Sequence, residues 1–221
     1  MIFIGLGDKV KSVMKMNRKN GIRMIYLERC VSTNDEAYLL AEAGALNGTT
    51  VTAREQSGGK GTNGRSFFSP GKTGIYMSVI LRNVKKEKLL DVTPMAAVAV
   101  SRVLDKIFGV KTGIKWVNDV YLDGKKVCGI LTKAQSKDGR TDFIIVGIGI
   151  NLFAPEGGFP EDIRNTAGFV SEAYDEALRQ KTIEEIAALL CEYAERLDDE
   201  RTAADIRQYY TERRIFIDEK G

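Results

Sequence analysis

Residues 55 to 65 read EQSGGKGTNGR, with four glycines, two cations and, just beyond, two aromatics in SFFSP. Glycine has no Cβ, so such a run can fold tightly and turn its backbone N–H groups on a ligand, as an anion nest does. Lys60 and Arg65 add long cationic arms, and Phe67 and Phe68 offer flat faces on which a base can stack. The set suits a nucleotide phosphate and its adenine. Its spacing is neither that of a Walker loop nor that of a Rossmann fingerprint, so the same residues also read as a mobile surface hairpin.

Two further stretches point the same way. In KWVNDVYLDGKKVCGIL, the polar residues Lys115, Asn118, Asp119 and Lys126 interrupt a strand-like apolar pattern, and polar groups set there are costly unless used. In VGIGINL, Gly147 and Gly149 break an apolar strand that Asn151 closes, the mark of a close approach to the backbone or of a bulge. The chain has no histidine, which excludes Ser-His and Cys-His nucleophiles and metal sites that need an imidazole. Catalysis must then use Lys, Arg, Asp, Asn or backbone amides.

The elements that position these residues follow from length and periodicity. A chain of 221 residues with 43% apolar content can bury one core, with at most an appendage. IRMIYLERC reads as a strand, and STNDEAYLLAEAGA switches to helical spacing with Thr33 as N-cap and Glu36 as its capping-box partner. TTVTARE and GIYMSVILR read as strands and residues 91 to 108 as a helix. From IKWVNDV to GIGINLF, alternation around Asp123-Gly124 and Asp138-Gly139 predicts an antiparallel meander of three strands. Residues 182 to 209 carry one or two amphipathic helices, expected to pack on the sheet.

Charge and cysteine usage bound the setting. A net charge of +3, scattered along the chain, builds no long basic face, so no DNA or other nucleic acid is expected as partner. Cys30, Cys128 and Cys191 are odd in number and far apart, as free thiols of a reducing, cytoplasmic compartment would be. No run reaches membrane-spanning length, so no membrane is expected either, and the apolar opening MIFIGLG is too short for a signal core.

STN at 32 to 34, GKGTNGR at 59 to 65, KWVNDV at 115 to 120, GKKVCGIL at 124 to 131 and GIGIN at 147 to 151 occur in the order found in biotin protein ligases. The chain resembles that family from about residue 22 to about residue 215. The resemblance implies an α+β fold, a mixed β-sheet flanked by helices like that of class II aminoacyl-tRNA synthetases. It implies an ATP-dependent ligase that converts biotin to biotinyl-AMP, releases pyrophosphate, and transfers biotin to a lysine of a biotin carboxyl carrier protein domain. Such chemistry is mostly positioning and charge neutralisation, for which no histidine is needed.

Residue by residue, the resemblance places Ser32, Thr33, Asn34 and Gln56 around the ureido end of biotin, with Gly59, Lys60, Gly61, Lys126 and Gly129 along the rest of it. Lys126 is the lysine expected on the biotin carboxylate and the adenylate, and Lys60 and Arg65 are the other catalytic cations. Arg65, Phe67, Asn118, Asp119 and Asn151 form the expected ATP side, with Asp119 a candidate Mg²⁺ contact. The residues alone also allow plainer roles: a helix cap for Thr33, a solvated strand position for Lys126 and a turn cap for Asn118 and Asp119.

The chain departs from the family pattern at Thr62, which stands where the loop commonly carries a second arginine. Residues 1 to 21 are expected to be a flexible leader or an extra edge strand, 22 to 210 the catalytic domain, and 211 to 221 the truncated start of a small C-terminal β-barrel. About 30 residues precede STN, too few for the helices of a DNA-binding winged module. Open sheet edges make a homodimer an expectation. Two alternatives stand beside the biotin ligase: a lipoate–protein ligase, against which KWVNDV argues, and a catalytically weak biotin-binding or sensing protein.

Overall fold

A computed structural model describes residues 13–19 and 22–216. The described residues build nine strands: β1 (Val13–Lys19), β2 (Ile22–Cys30), β3 (Thr50–Gln56), β4 (Gly74–Leu81), β5 (Gly113–Lys115), β6 (Asp119–Leu122), β7 (Lys125–Lys137), β8 (Arg140–Asn151) and β9 (Arg214–Ile215). They form one sheet in the order β1-β2-β3-β4-β8-β7-β6-β5-β9. The β2–β3 and β5–β9 pairs are parallel and the rest antiparallel, so the sheet is mixed, as expected. Residues 13–19 form an edge strand, the alternative to a loose leader, while residues 1–12 and 217–221 lie outside the described residues.

The helices are α1 (Thr33–Glu42), α2 (Leu89–Phe108), α3 (Glu176–Glu195) and α4 (Glu200–Arg213). Asp175 and Asp199 cap α3 and α4 by accepting the backbone N–H of Leu178 and Thr202, each at 2.9 Å, and α2 stops at Gly109 in the left-handed region. The meander has one strand more than expected. Asp123-Gly124 and Asp138-Gly139 turn at positive φ, as tight hairpins require, but KWVND also folds back so that β5 pairs with β6.

Two cores sandwich the sheet. Ile75, Met77 and Val79 of β4 and Ile144, Val146 and Ile148 of β8 pack with Val92, Met95 and Ile186 of α2 and α3. Because successive strand residues face opposite sides, the intervening Ile80 and Ile145 join Phe143, Val51, Ala37 and Ala41 beneath α1. Farther along that second face, β8 replaces apolar side chains by Gly147 and Gly149. These are paired with Ser78 and Tyr76 on β4, and Gly149 also pairs with Gly129 on β7. A sheet face that is aliphatic under the helix and glycine-rich beside it leaves a hollow there, and it is in this hollow that the candidate site lies.

Arg179, 4% exposed on α3, pins this arrangement. Its guanidinium donates to the Gly74 and Ala53 carbonyls, both at 2.9 Å, tying α3 to β4 and β3, and its burial lowers its pKa. Arg179→Leu would leave two buried carbonyls without donors at about 1–3 kcal/mol each. We expect it to destabilise the chain by about 2–4 kcal/mol, read as a lowered denaturation midpoint; an unchanged midpoint would show the clamp to be dispensable.

One local expectation is corrected. Helix α1 begins at Thr33 with Ser32 at the N-cap, and no side chain at the cap position bonds the first turn. The Thr33 hydroxyl instead contacts Gln56 and Ser78, and the N–H of Thr33 is satisfied by Gln56 Oε1 at 2.8 Å. The cap is supplied from β3 across the fold, because Thr33 is drawn into a polar cluster at the head of the helix.

Candidate active site

The hollow is a cleft of about 220 Å³ between α1, the glycine loop, β7, β8 and the segment 163 to 167. Thr33, Asn34 and Gln56 line one end, and Lys60, Gly61, Thr62, Arg65 and Phe67 line the loop side. Asn118, Asp119, Lys126, Gly129 and Asn151 line the opposite side. Of the expected residues, Ser32 and Gly59 do not reach the lining. Ser32 is buried with its hydroxyl unpartnered in the structure. A Cβ at Gly59 would lie 2.5 Å from the Phe67 carbonyl, so this glycine is required by close packing behind the wall.

At the helix end the groups are polar and uncharged. Gln56 Oε1 receives Thr33, and Ser78 Oγ lies 2.9 Å from Thr33 Oγ1 and 3.1 Å from Asn34 Oδ1. The Asn34 carboxamide rests directly on Gly147, where any Cβ would overlap it. The other strand glycine has an equivalent use, since a Cβ at Gly149 would lie 2.7 Å from the Phe67 ring. Both glycines are therefore sites of close approach, and the approaching groups are the protein's own. Phe67 covers the sheet at Gly149 and packs edge-on to Tyr76, ring centroids 6.5 Å apart. Burial pushes the Tyr76 phenol up to about 12, so it stays a neutral donor to the Pro70 carbonyl.

The glycine loop is a small folded unit. Gly61 N–H donates to the Arg65 carbonyl, Phe67 N–H donates to the Gly59 carbonyl, and a single turn spans residues 62 to 64. Positive φ is confined here to Asn63 and Gly64. Thr62 is exposed and faces the cleft. Lys60 Nζ lies 2.7 Å from Asp35 Oδ1 in the first turn of α1.

On the far wall, Lys126 Nζ stands 2.7 Å from Asp119 Oδ1, close in distance though outside hydrogen-bond alignment. The β6–β7 register brings them together, with Asp119 opposite Gly129 and Tyr121 opposite Lys126. Asn118 is largely committed to the fold: its Nδ2 donates to the Ile130 carbonyl and its backbone carbonyl accepts from Ile130 N–H, both at 2.9 Å. Burial, with the Asp119 charge second, pushes the Cys128 thiol up, leaving it inert behind the site. Among the described residues no cluster of three metal-ligating side chains occurs. A lone carboxylate in the cleft is still the kind of contact Mg²⁺ uses when phosphates and water complete its shell.

Several contributors carried no sequence signal. Ile163, Thr166 and Ala167 form a wall, fixed where Lys126 N–H donates to the Thr166 carbonyl at 2.8 Å and Gly168 N–H to the Lys126 carbonyl at 2.9 Å. Asp35 and Ser78 are set by contacts between distant segments. The cleft thus joins a neutral hydrogen-bonding end to flanking walls that carry cations, an arrangement for a ligand with a polar uncharged head and a reacting anionic tail.

Residues 26–151, more than half of the chain, match the Biotin/lipoate A/B protein ligase family. The bifunctional ligase/repressor BirA of Bacillus subtilis is 38% identical over 173 residues, which are 77% of this chain and 53% of that protein. The biotin–[acetyl-CoA-carboxylase] ligase of Paracoccus denitrificans is 36% identical over 138 residues, 61% of this chain and 57% of that one. A solved biotin protein ligase from Aquifex aeolicus in complex with biotin and ATP superposes with a TM-score of 0.73 at 27% identity, covering 88% of this chain and 79% of that chain. The chain spans about half the length of the curated relatives it matches.

Proposed function

The chain belongs to the biotin/lipoate A/B protein ligase family, and from that premise we propose that it activates biotin with ATP to biotinyl-AMP and passes the biotinyl group to a lysine of a carboxylase carrier domain. The observation that carries this reading is the polarity of the cleft. Uncharged donors and acceptors on Thr33, Asn34 and Gln56 line the end at α1, and cations line the two flanking walls, Lys60 and Arg65 on the loop side and Lys126 across from them. A bicyclic urea with a carboxylate tail fits this polarity, whereas a dithiolane offers the polar head no hydrogen-bonding group.

In the first step a biotin carboxylate oxygen bonds to the α-phosphorus of ATP and the bond to pyrophosphate breaks. In the second the carrier lysine, as a free amine, attacks the acyl carbon and AMP leaves. Both bring or gather negative charge, and Lys126 would neutralise it with a strength that a partly dry cleft increases. Asp119, a carboxylate in the cleft lining, would hold Mg²⁺, whose charge would favour departure of pyrophosphate. Lys60 and Arg65 serve the phosphates, and the three buried free thiols suit a reducing cytoplasm.

The test is to incubate the chain with biotin, Mg-ATP and a carrier domain and to weigh the carrier. A mass gain of one biotinyl group on the acceptor lysine is expected. Biotin binding without adenylate or transfer would make the protein a sensor rather than a ligase.

Thr62 sets a second expectation. A charge-assisted hydrogen bond contributes about 1.5–3 kcal/mol, so Thr62→Arg, by restoring a cation beside the phosphate, should slow release of biotinyl-AMP by about 10- to 100-fold. Dissociation of labelled adenylate measures this, and an unchanged rate would show that Lys60 and Arg65 already suffice.

A further inference from the structure

Ser69 lies just past the glycine loop, 5% exposed and outside the cleft lining. Its hydroxyl donates to the Phe67 carbonyl at 2.8 Å and accepts from Gln56 Nε2 at 3.0 Å. At the other end of the same amide, Gln56 Oε1 accepts from the Thr33 backbone N–H at 2.8 Å and from the Thr33 hydroxyl at 3.2 Å. Two backbone groups fix the direction of this series. A peptide N–H only donates, so the Gln56 atom facing Thr33 is the oxygen. A peptide carbonyl only accepts, so Ser69 gives its one proton to Phe67 and keeps lone pairs for Gln56 Nε2. Turning the amide over would set a donor against a donor at Thr33.

The node is tightly built on the loop side as well. A Cβ at Gly59 would lie 2.6 Å from Ser69 Oγ and 3.0 Å from Gln56 Nε2, and Gln56 N–H donates to the Ser69 carbonyl at 3.0 Å. We infer that Ser69 is a positioning residue for the head group of the acid: it locks the Gln56 amide in one orientation and ties it to the exit of the glycine loop. This inference rests on the biotin-ligase reading, because it names biotin as the ligand that Gln56 is held to meet. Without the hydroxyl, Gln56 keeps only its contact with Thr33, and the amide must be ordered when ligand binds rather than beforehand.

The test is calorimetric titration of the full chain with biotin and, separately, with a non-hydrolysable ATP analogue. Ser69→Ala is expected to weaken biotin about tenfold and the nucleotide by less than about threefold, while Ser69→Thr, which keeps the hydroxyl, restores biotin binding. Ser69→Cys, nearly the same size with a poor hydrogen-bonding group, should weaken biotin as alanine does, so the test survives if the alanine variant folds badly. Acting through Gln56 also requires non-additivity, so adding Ser69→Ala to Gln56→Ala should cost little more than Gln56→Ala alone. Additive losses, or equal weakening of biotin and nucleotide, would overturn the positioning role. Absence of biotin binding by the unaltered chain would instead overturn the ligase reading, and is seen before any variant is made.

Discussion

Lys126→Met is expected to lower biotin-dependent ATP–pyrophosphate exchange by about 10²- to 10³-fold while the protein stays folded. The side chain begins on β7 opposite Tyr121 and ends in the cleft with about a third of its surface exposed. Methionine keeps the aliphatic stem and removes the charge. Two losses then coincide. The carboxylate of biotin and the α-phosphate must approach each other without the cation between them, and Asp119 is left as an unpaired anion on the same wall. The second effect can be separated from the first. Lys126→Met combined with Asp119→Asn removes the stranded charge, so it should regain stability without regaining exchange. Exchange within about threefold of the unaltered protein for Lys126→Met would contradict the assignment, since a solvated strand lysine could be lost without consequence.

The second large effect is expected at Gly147. A methyl there overlaps the Asn34 carboxamide, which is 7% exposed and shares Ser78 with Thr33. Gly147 lies in a strand paired on both sides, so the backbone is held and the side chain must give way. Gly147→Ala should therefore drive Asn34 out of the head pocket and weaken biotin by about 10²-fold, the loss of about two hydrogen bonds or of one with its partner left unsatisfied. Nucleotide binding, if it uses Arg65, Asn118, Asp119 and Asn151 as proposed, should change by less than about threefold. Titration of each ligand separately reads the difference, and unchanged biotin affinity would show that Asn34 does not serve the head group.

What was legible in the sequence follows from how local each determinant is. Asp123-Gly124 and Asp138-Gly139 announced their turns because positive φ is a property of the two residues themselves. The proximity of Lys126 to Asp119 was not readable, because a register shift in the β6–β7 hairpin sets Asp119 opposite Gly129 and Lys126 opposite Tyr121 rather than facing each other. Gly147 and Gly149 were readable as points of close approach, but not as seats for Asn34 and Phe67, because that depends on where α1 and the loop settle on the sheet. The ion pair of Lys60 with Asp35 spans elements that meet only in the fold. The wall at residues 163 to 167 comes from a stretch with no periodicity, held by backbone bonds to Lys126. The capping box at Thr33 and Glu36 failed for a specific reason. Its threonine is used by Gln56 and Ser78, and a pattern of four residues cannot see a competitor on another strand.

The central claim is that one cleft aligns a biotin carboxylate with the α-phosphate of ATP. The most direct measurement is exchange of labelled pyrophosphate into ATP by the purified chain with biotin, run beside the same assay with lipoate and with neither acid. Exchange that depends on biotin and is at background with lipoate is the predicted result; no exchange with biotin, or exchange supported by lipoate instead, would contradict it.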